Sequence, residues 1–220
     1  MLEAKQALRE QLRARRRART PQERAEVAES LAVAAREVPV LGVVLARAAD
    51  DGPAPGGVPA VCVAAYASFG TEPGTAPLLR LLADAGARVL LPVIHDDGSL
   101  GWAPYADDLG PGTVSPGIPE PTGPEVGVGA DGLVALGCAV VLVPALGVDH
   151  AGRRIGKAGG YYDRLLAGLE RHGAGRPLTV AVVHDDDVVA AVPTQPHDRR
   201  VDGILMPSGY RRAESATGDG

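Results

Sequence analysis

The sequence predicts a three-layer α/β/α domain built on a mostly parallel sheet. Continuous Val/Leu-rich runs recur along the chain, as expected for parallel strands whose two faces are both covered by helices. Segments with helix-capping residues alternate with these runs. The length of 220 residues suits one domain, because single domains commonly extend to about 250 residues.

Two helices are expected at the start of the chain. Residues 2–19 place apolar side chains at i, i+4 and i+8 on an otherwise basic helix. Residues 20–23, TPQE, form a capping box with proline at the first helical position. The second helix is predicted to reach about Arg36 and to stop before Pro39. The apolar positions of the first helix are Ala4, Leu8 and Leu12.

Strands and helices then alternate beyond residues 48–60, a Gly/Pro-rich loop that resembles an insertion. Residues 110–132 contain five prolines, and we expect a long irregular loop there, which in a compact domain is usually functional or mobile. The single domain is expected to span residues 1–210, followed by a disordered tail at 211–220. The predicted strands are 61–66, 88–94, 139–144, 178–183 and 204–206, and the predicted helices are 75–85 and 161–172.

The composition argues against several functional classes. Hydrophobic residues make up 45% of the chain and charged residues 22%, which is typical of a globular protein. The net charge of −5 and the 3% aromatic content argue against a general nucleic-acid binder and a base-stacking surface. Cys62 and Cys138 lie in apolar runs, as buried free thiols do in a reducing cytoplasm. With no apolar leader and no 18-residue apolar run, we expect a cytoplasmic protein without a membrane partner.

The most informative segment is a glycine-rich turn between a strand and a helix, GVDHAGRRIGKAGGYYDRLL at residues 147–166. Backbone N–H groups in such a turn, together with a helix N-terminus, collect phosphate. Arg153, Arg154 and Lys157 add cations, and Asp163 could hold a Mg²⁺ that bridges phosphates. The Walker A and dinucleotide-binding patterns both fail here. Taken alone, the segment could also be a glycine-rich turn with a solvated basic rim.

The segment resembles the G-x-R-L-G-x-G-x-G-Y-Y-D signature of 5-formyltetrahydrofolate cyclo-ligases. Similar landmarks of that family follow in order along nearly the whole chain. Ala158 replaces a usual glycine, Ile155 replaces leucine, and the insertion is atypical. We expect Ala158 to keep a negative φ, because Gly159 and Gly160 can supply any left-handed turn. The other landmarks are KQALR at 5–9, GTEPGT at 70–75, LPV at 91–93, GIPEP at 117–121, VPA at 143–145, HD at 197–198 and VD at 201–202.

The resemblance implies a fold like that of CoA transferases and ribose-phosphate isomerases. It also implies an enzyme that uses ATP and Mg²⁺ to convert 5-formyltetrahydrofolate, or its polyglutamated form, into 5,10-methenyltetrahydrofolate. We further expect a monomer. Arg154 and Lys5 would be catalytic, and Asp163 and Asp198 would hold Mg²⁺. Glu72, Trp102 and Tyr161 would bind the folate. The residues implied for ATP are Lys5, Arg9, Arg154, Ile155, Gly156, Lys157, Ala158, Gly159, Gly160, Tyr161 and Tyr162.

Two alternatives come from other functional classes. One is a different enzyme that uses ATP or a phosphosugar and has a similar glycine loop. The other is a protein that associates with nucleic acid through its basic N-terminal helix. ATP turnover that depends on 5-formyltetrahydrofolate would distinguish a cyclo-ligase from the first alternative. A steep salt dependence of RNA binding would favour the second.

Overall fold

A computed structural model describes residues 1–51, 61–195 and 198–214. Most of the predicted insertion, His197 of the HD landmark and the end of the predicted tail lie outside the described residues. The helices are α1 (Leu2–Ala18), α2 (Pro21–Ala34), α3 (Pro39–Asp51), α4 (Ala76–Asp84), α5 (Gly129–Ala135) and α6 (Tyr161–Glu170). The first seven strands are β1 (Cys62–Ala64), β2 (Arg88–Ile94), β3 (Leu100–Pro104), β4 (Leu109–Pro111), β5 (Pro119–Pro121), β6 (Gly127–Val128) and β7 (Cys138–Pro144). The others are β8 (Gly147–Asp149), β9 (Arg154–Ile155), β10 (Leu178–Val182), β11 (Val188–Val189), β12 (Gly203–Met206) and β13 (Gly209–Arg212).

The central sheet has eight strands in the order β13-β12-β10-β7-β1-β2-β3-β6. Its middle strands, β12, β10, β7, β1 and β2, run parallel, whereas β13, β3 and β6 pair antiparallel at the edges. The prediction of a mostly parallel sheet is therefore confirmed.

Two hydrophobic cores cover the two faces of this sheet. Strand residues alternate between them, so that Val63 and Leu142 face one core while Ala64 and Val143 face the other. Helices α2, α3 and α4 bury side chains in the first core, and α5 and α6 bury theirs in the second. This alternation gives the three-layer arrangement, because each face of a parallel sheet needs its own cover.

The N-terminal helix α1 is attached through a small separate core and one buried arginine. Leu8 and Leu12 pack with Leu146, Ile155 and Val192. Arg16 is also buried, and its guanidinium pairs with Asp187 at 2.7 Å. The capping box predicted at the start of α2 is present, with Thr20 and Glu23 each bonding the other's backbone N–H.

Two sequence-based expectations about elements need correction, and one helix was not predicted. The predicted end of the second helix before Pro39 is confirmed, and Pro39 begins the unpredicted α3, since proline also suits a first helical turn. Residues 110–132 are not one irregular loop. They contain β5, which forms a hairpin with β4, as well as β6 and the first part of α5. Arg211 and Arg212 belong to β13, so these first two residues of the predicted disordered tail are ordered.

Candidate active site

A cavity of about 330 Å³ opens at the carboxyl ends of the parallel strands. In the sheet, the next parallel strand after β1 in the chain, β2, lies on one side of β1, whereas the next parallel strand after β7, β10, lies on the other side of β7. The direction of strand order therefore reverses between β1 and β7. Ligands of open α/β sheets bind outside the carboxyl ends at such a switch point. The cavity wall includes Tyr66 after β1 and Pro144 and Ala145 at the end of β7.

The glycine-rich segment forms one wall of this cavity. It begins as a hairpin of β8 with β9, continues through residues 156–160 and ends at the start of α6. Gly152 in the hairpin turn has φ +75°, and a Cβ there would collide with the carbonyl oxygen of Val201. Gly160 caps α6 with φ +71°. These two positions require glycine, which explains why the segment is glycine-rich.

Ala158 is the exception within the segment. Its φ is +89°, the only positive value of a non-glycine residue within the described ranges. The expectation of a negative φ at Ala158 is therefore wrong. Gly160 does take a left-handed conformation, but the chain needs a second one two residues earlier. Ala158 thus carries local backbone strain at the edge of the cavity.

Arg154 and Arg153 have very different surroundings. Arg154 is buried and donates from its terminal nitrogen to Asp163 Oδ1 at 2.8 Å. Burial lowers the pKa of Arg154, and the nearby Asp163 carboxylate opposes that shift. Its Nε is buried with no hydrogen-bond partner among the described residues. Arg153 has a 37% exposed side chain that pairs with Asp149 instead, so only Arg154 directs its charge into the cavity.

Helix α1 contributes two further cations. Lys5 is buried, and its Nζ lies 2.5 Å from Asp198 Oδ2 and 3.4 Å from Gln195 Oε1. Arg9, one turn along the helix, donates from Nε to the carbonyl oxygen of Gly156 at 3.0 Å. Both side chains therefore reach the cavity, as expected from their spacing on one face of a helix.

Glu72 lies opposite the glycine-rich segment, in the loop that follows β1. Its Oε2 accepts the backbone N–H of Phe69 at 3.0 Å. Its Oε1 lies 2.8 Å from Lys157 Nζ, which also sits 3.6 Å from the centre of the Phe69 ring. The contact joins the two loops across the cavity.

Two tyrosine hydroxyls near Glu72 are buried without a partner among the described residues. They belong to Tyr66 and Tyr162, and burial raises the pKa of both. Both residues line the cavity. Tyr66 and Phe69 were missed in the sequence analysis, although their position just after a parallel strand is a signal that could have identified them.

The position of Trp102 corrects the sequence-based expectation that it binds substrate. Trp102 is fully buried in β3, and its indole N–H donates to the carbonyl oxygen of Gly129 at 3.0 Å. It does not line the cavity, whereas Tyr161 does. The single tryptophan of a chain is conspicuous, but here its side chain is part of the hydrophobic core.

A second cavity of about 490 Å³ adjoins the first. The two cavities share Lys5, Arg9, residues 158–160, Asp163 and Asp198. The second cavity adds Arg164 and Arg199 but lacks Arg154, Lys157 and Glu72, so each lining holds four cations and the second holds one carboxylate fewer. Arg164 also donates to the carbonyl oxygen of Gly98 at 2.9 Å and so ties α6 to the turn between β2 and β3.

Residues 58–207 match the model of the 5-formyltetrahydrofolate cyclo-ligase family. The chain belongs to this family. The 5-formyltetrahydrofolate cyclo-ligase of Mycolicibacterium smegmatis is 39% identical over 153 residues, which cover 66% of this chain and 73% of the relative. That of Escherichia coli K12 is 30% identical over 199 residues, which cover 90% of this chain and 97% of the relative.

Two solved structures share the fold. The 5,10-methenyltetrahydrofolate synthetase of Aquifex aeolicus matches with a TM-score of 0.71 and 22% identity, covering 97% of this chain and 95% of that one. The Mycoplasma pneumoniae synthetase matches with a TM-score of 0.61 and 16% identity, covering 91% and 97%. Both likenesses concern the fold. In the described part of the chain, the helices are too short or too polar to cross a bilayer.

Proposed function

We propose that this cyclo-ligase family member uses MgATP to convert 5-formyltetrahydrofolate into 5,10-methenyltetrahydrofolate, releasing ADP and phosphate. The observation that carries the proposal is the position of the glycine-rich segment. It separates a cavity that bears Glu72 and aromatic side chains from a cavity lined by four cations and only two carboxylates, and it lines both. A ring substrate and a polyphosphate can therefore meet at one loop.

The reaction needs activation of a poor electrophile, because an N-formyl group resembles an amide. The formyl oxygen takes the γ-phosphoryl group of ATP, and ADP leaves. N10 of the same folate then attacks the formyl carbon, the bond from that carbon to the phosphorylated oxygen breaks, and phosphate departs. The N10 proton is lost to solvent. No protein nucleophile is required, so the protein acts through positioning and electrostatics.

The cations are distributed to serve the phosphoryl transfer. Arg154 is buried, and its Nε lacks a partner that a phosphate oxygen could supply. Lys5 and Arg9 reach the same cavity from α1. In a site sheltered from water, such fixed donors stabilise developing charge far better than in bulk solvent. Glu72 offers a carboxylate to the N–H and amino donors of the pterin ring.

A magnesium ion fits the acidic residues only as a phosphate-bound ion. Within the described ranges, no group of three His, Cys, Asp or Glu side chains is placed to hold a metal. Asp163 and Asp198 both line the shared part of the two cavities, each beside a cation. Mg²⁺ commonly takes one or two carboxylates and completes its shell with phosphates and water. Asp163 and Asp198 would hold it, and the ion would neutralise phosphate charge.

The basic N-terminal helix gives little support to a nucleic-acid function. Most of its cations contact the protein itself, including Arg16 with Asp187 and Lys5 with Asp198. Arg15 donates to the backbone oxygen of Asp186 at 2.7 Å, and Arg19 pairs with the Asp186 carboxylate. These charges hold α1 in place instead of facing a polyanion.

The test is to mix the protein with MgATP and 5-formyltetrahydrofolate and to follow the absorbance of the methenyl product together with phosphate release. Both signals should require all three components and should agree in stoichiometry. ATP turnover that ignores the folate would favour a different ATP-using enzyme. Arg154→Ala is the reference with strongly reduced activity, and light scattering on the same sample would check the predicted monomer.

A further inference from the structure

Lys157 and Glu72 hold each other across the cavity. One oxygen of the Glu72 carboxylate receives the Lys157 ammonium at 2.8 Å, and the other accepts the backbone N–H of Phe69 at 3.0 Å. The ammonium also rests 3.6 Å from the centre of the Phe69 ring. Both oxygens that a pterin ring would use are thus already engaged within the protein.

A bound folate and Lys157 would therefore compete for the same oxygen. The Lys157 side chain is 39% exposed, whereas the Glu72 side chain is only 5% exposed. Lys157 can leave for solvent at little cost, since an ion pair with one exposed partner contributes modestly. Glu72 has no such freedom, because it is fixed by the loop that carries Phe69. Folate binding should consequently displace the lysine and not the carboxylate.

A displaced Lys157 has an obvious second use. It follows Gly156, whose carbonyl oxygen already receives Arg9, and it lies three residues after Arg154. The segment that carries it lines both cavities. A freed ammonium on this segment adds a positive charge where the phosphates are proposed to bind. Polyphosphate in turn would attract Lys157 away from Glu72.

We propose that Lys157 is a shared cation that couples the binding of folate and MgATP, so that each ligand raises the affinity of the site for the other. The inference rests on the proposed function. Linkage requires the effect to be reciprocal, with one factor describing both directions. The pair also keeps the phosphate site one cation short until folate arrives, which restrains ATP turnover without folate.

Backbone strain beside Lys157 supports a loop that moves. Ala158, the next residue, has φ +89°, a strained conformation for a residue with a Cβ. Such strain persists where surrounding contacts impose it, and it is frequent at switch regions. The two contacts of the Lys157 ammonium are available to impose it. Release of Lys157 would let the strained position relax.

The test is calorimetry with 5-formyltetrahydrofolate and with the non-hydrolysable MgAMP-PNP, each titrated alone and in the presence of the other. In the natural protein, each ligand should tighten the other's binding about fivefold or more, the usual lower range of coupling between sites. In Lys157→Gln this ratio should fall to about one. Folate alone should then bind roughly two to five times more tightly, because no ammonium competes with it.

Two further variants make the result specific. Arg153→Gln removes the same charge from the same segment but lies outside both cavity linings, so its coupling should equal that of the natural protein. Glu72→Gln releases Lys157 and should tighten MgAMP-PNP measured alone, while weakening folate. Tightening of a ligand also shows that the variant is folded.

The outcomes separate the coupling from the proposed function. A natural protein that binds both ligands with no mutual effect, or a Lys157→Gln protein that keeps the full effect, would overturn the coupling and leave the proposed function intact. A natural protein that binds neither ligand would contradict both. Weaker folate binding in Lys157→Gln would make Lys157 a simple folate contact and would also overturn the coupling.

Discussion

Ala158 offers the most direct test at the scale of a single residue. Its φ of +89° predicts that Ala158→Gly stabilises the protein, because glycine has no Cβ to crowd the backbone. The relief of about 1–2 kcal/mol exceeds the extra entropy of an unfolded glycine, about 0.4–1 kcal/mol, and the midpoints of the two ranges leave a gain of about 0.8 kcal/mol. Urea unfolding of both proteins measures the difference.

Ala151→Gly is the matched control for this prediction. Ala151 lies in the same segment, but its φ is not positive. Glycine there brings only unfolded-state entropy and should destabilise the protein by about 0.4–1 kcal/mol. If the two substitutions shift stability in the same direction, the strain assigned to Ala158 is not present in solution.

Arg154 and Arg153 make a natural pair for testing which arginine serves the reaction. Arg154→Ala should lower kcat/KM by about 30- to 1,000-fold, since loss of a desolvated contact to the transferring phosphate costs about 2–4 kcal/mol in the transition state. Arg153→Ala removes an arginine with a 37% exposed side chain that pairs with Asp149, so its effect should stay within a few-fold. Steady-state kinetics with circular dichroism as a check of folding decides the matter. Similar losses in both variants would mean that the loop, and not Arg154, binds the phosphate.

At the scale of elements, Trp102 tests a role in the core against a role in binding. Its indole N–H joins β3 to the first residue of α5. Trp102→Phe should destabilise the protein by about 1–3 kcal/mol, through the lost hydrogen bond and the smaller ring. The KM for folate should not change. A several-fold higher KM for folate at unchanged stability would instead mean that Trp102 contacts the substrate.

The elements that the sequence did not reveal share a physical cause. Proline is ambiguous, because it can end one helix or begin the next, and at Pro39 it begins α3. In residues 110–132, prolines lie at the ends of a two-strand ladder in which Pro111 faces Pro119. Prolines are tolerated there, since no further strand needs their missing N–H. The buried Glu120 carboxylate also accepts the backbone N–H of Ile94. Such tertiary support leaves no local pattern.

The residues of the site were easier to predict than these elements, because phosphate binding requires particular residue types at particular spacings. The signature segment placed Arg154, Asp163 and Tyr161 beside one another in sequence, and the structure brings all three to the cavity. Lys5 and Glu72 are distant in sequence and also reach it. The Lys157–Glu72 pair could not be foreseen, because it depends on how closely two loops approach each other.

At the scale of the whole molecule, the buried contacts of α1 determine how the N-terminal helix meets the sheet. Arg16 donates to Asp187 and to the backbone oxygens of Ala145 and Leu146, at the carboxyl end of β7. The Asp187 carboxylate also accepts the backbone N–H of His184 at 3.2 Å. The helix that delivers Lys5 and Arg9 is thus anchored to the same strand ends that form the cavity. Stability and site geometry therefore depend on one buried polar cluster.

This cluster predicts that the protein loses stability in mild acid. Burial lowers the pKa of His184 from 6.5 to about 4, and the nearby Arg19 and Arg16 charges add to the effect. Between pH 6.5 and pH 4, the His184 imidazole is protonated in the unfolded chain but neutral in the folded protein. The free energy of unfolding therefore decreases as the pH falls from 6.5 to 4. The 2% exposed ring contributes a loss of about 3 kcal/mol over this window, and below pH 4 the loss levels off.

His184→Gln isolates the contribution of the imidazole from that of its neighbours. Burial raises the pKa of Asp187, so the Asp187 contribution has the opposite sign and decreases as the pH rises just above 3.8. That contribution is present in both proteins and cancels in their difference. Urea unfolding from pH 4 to 7 should show the natural protein losing about 3 kcal/mol relative to the glutamine variant. A constant difference across this range would mean that His184 titrates normally and that α1 does not seal it from water.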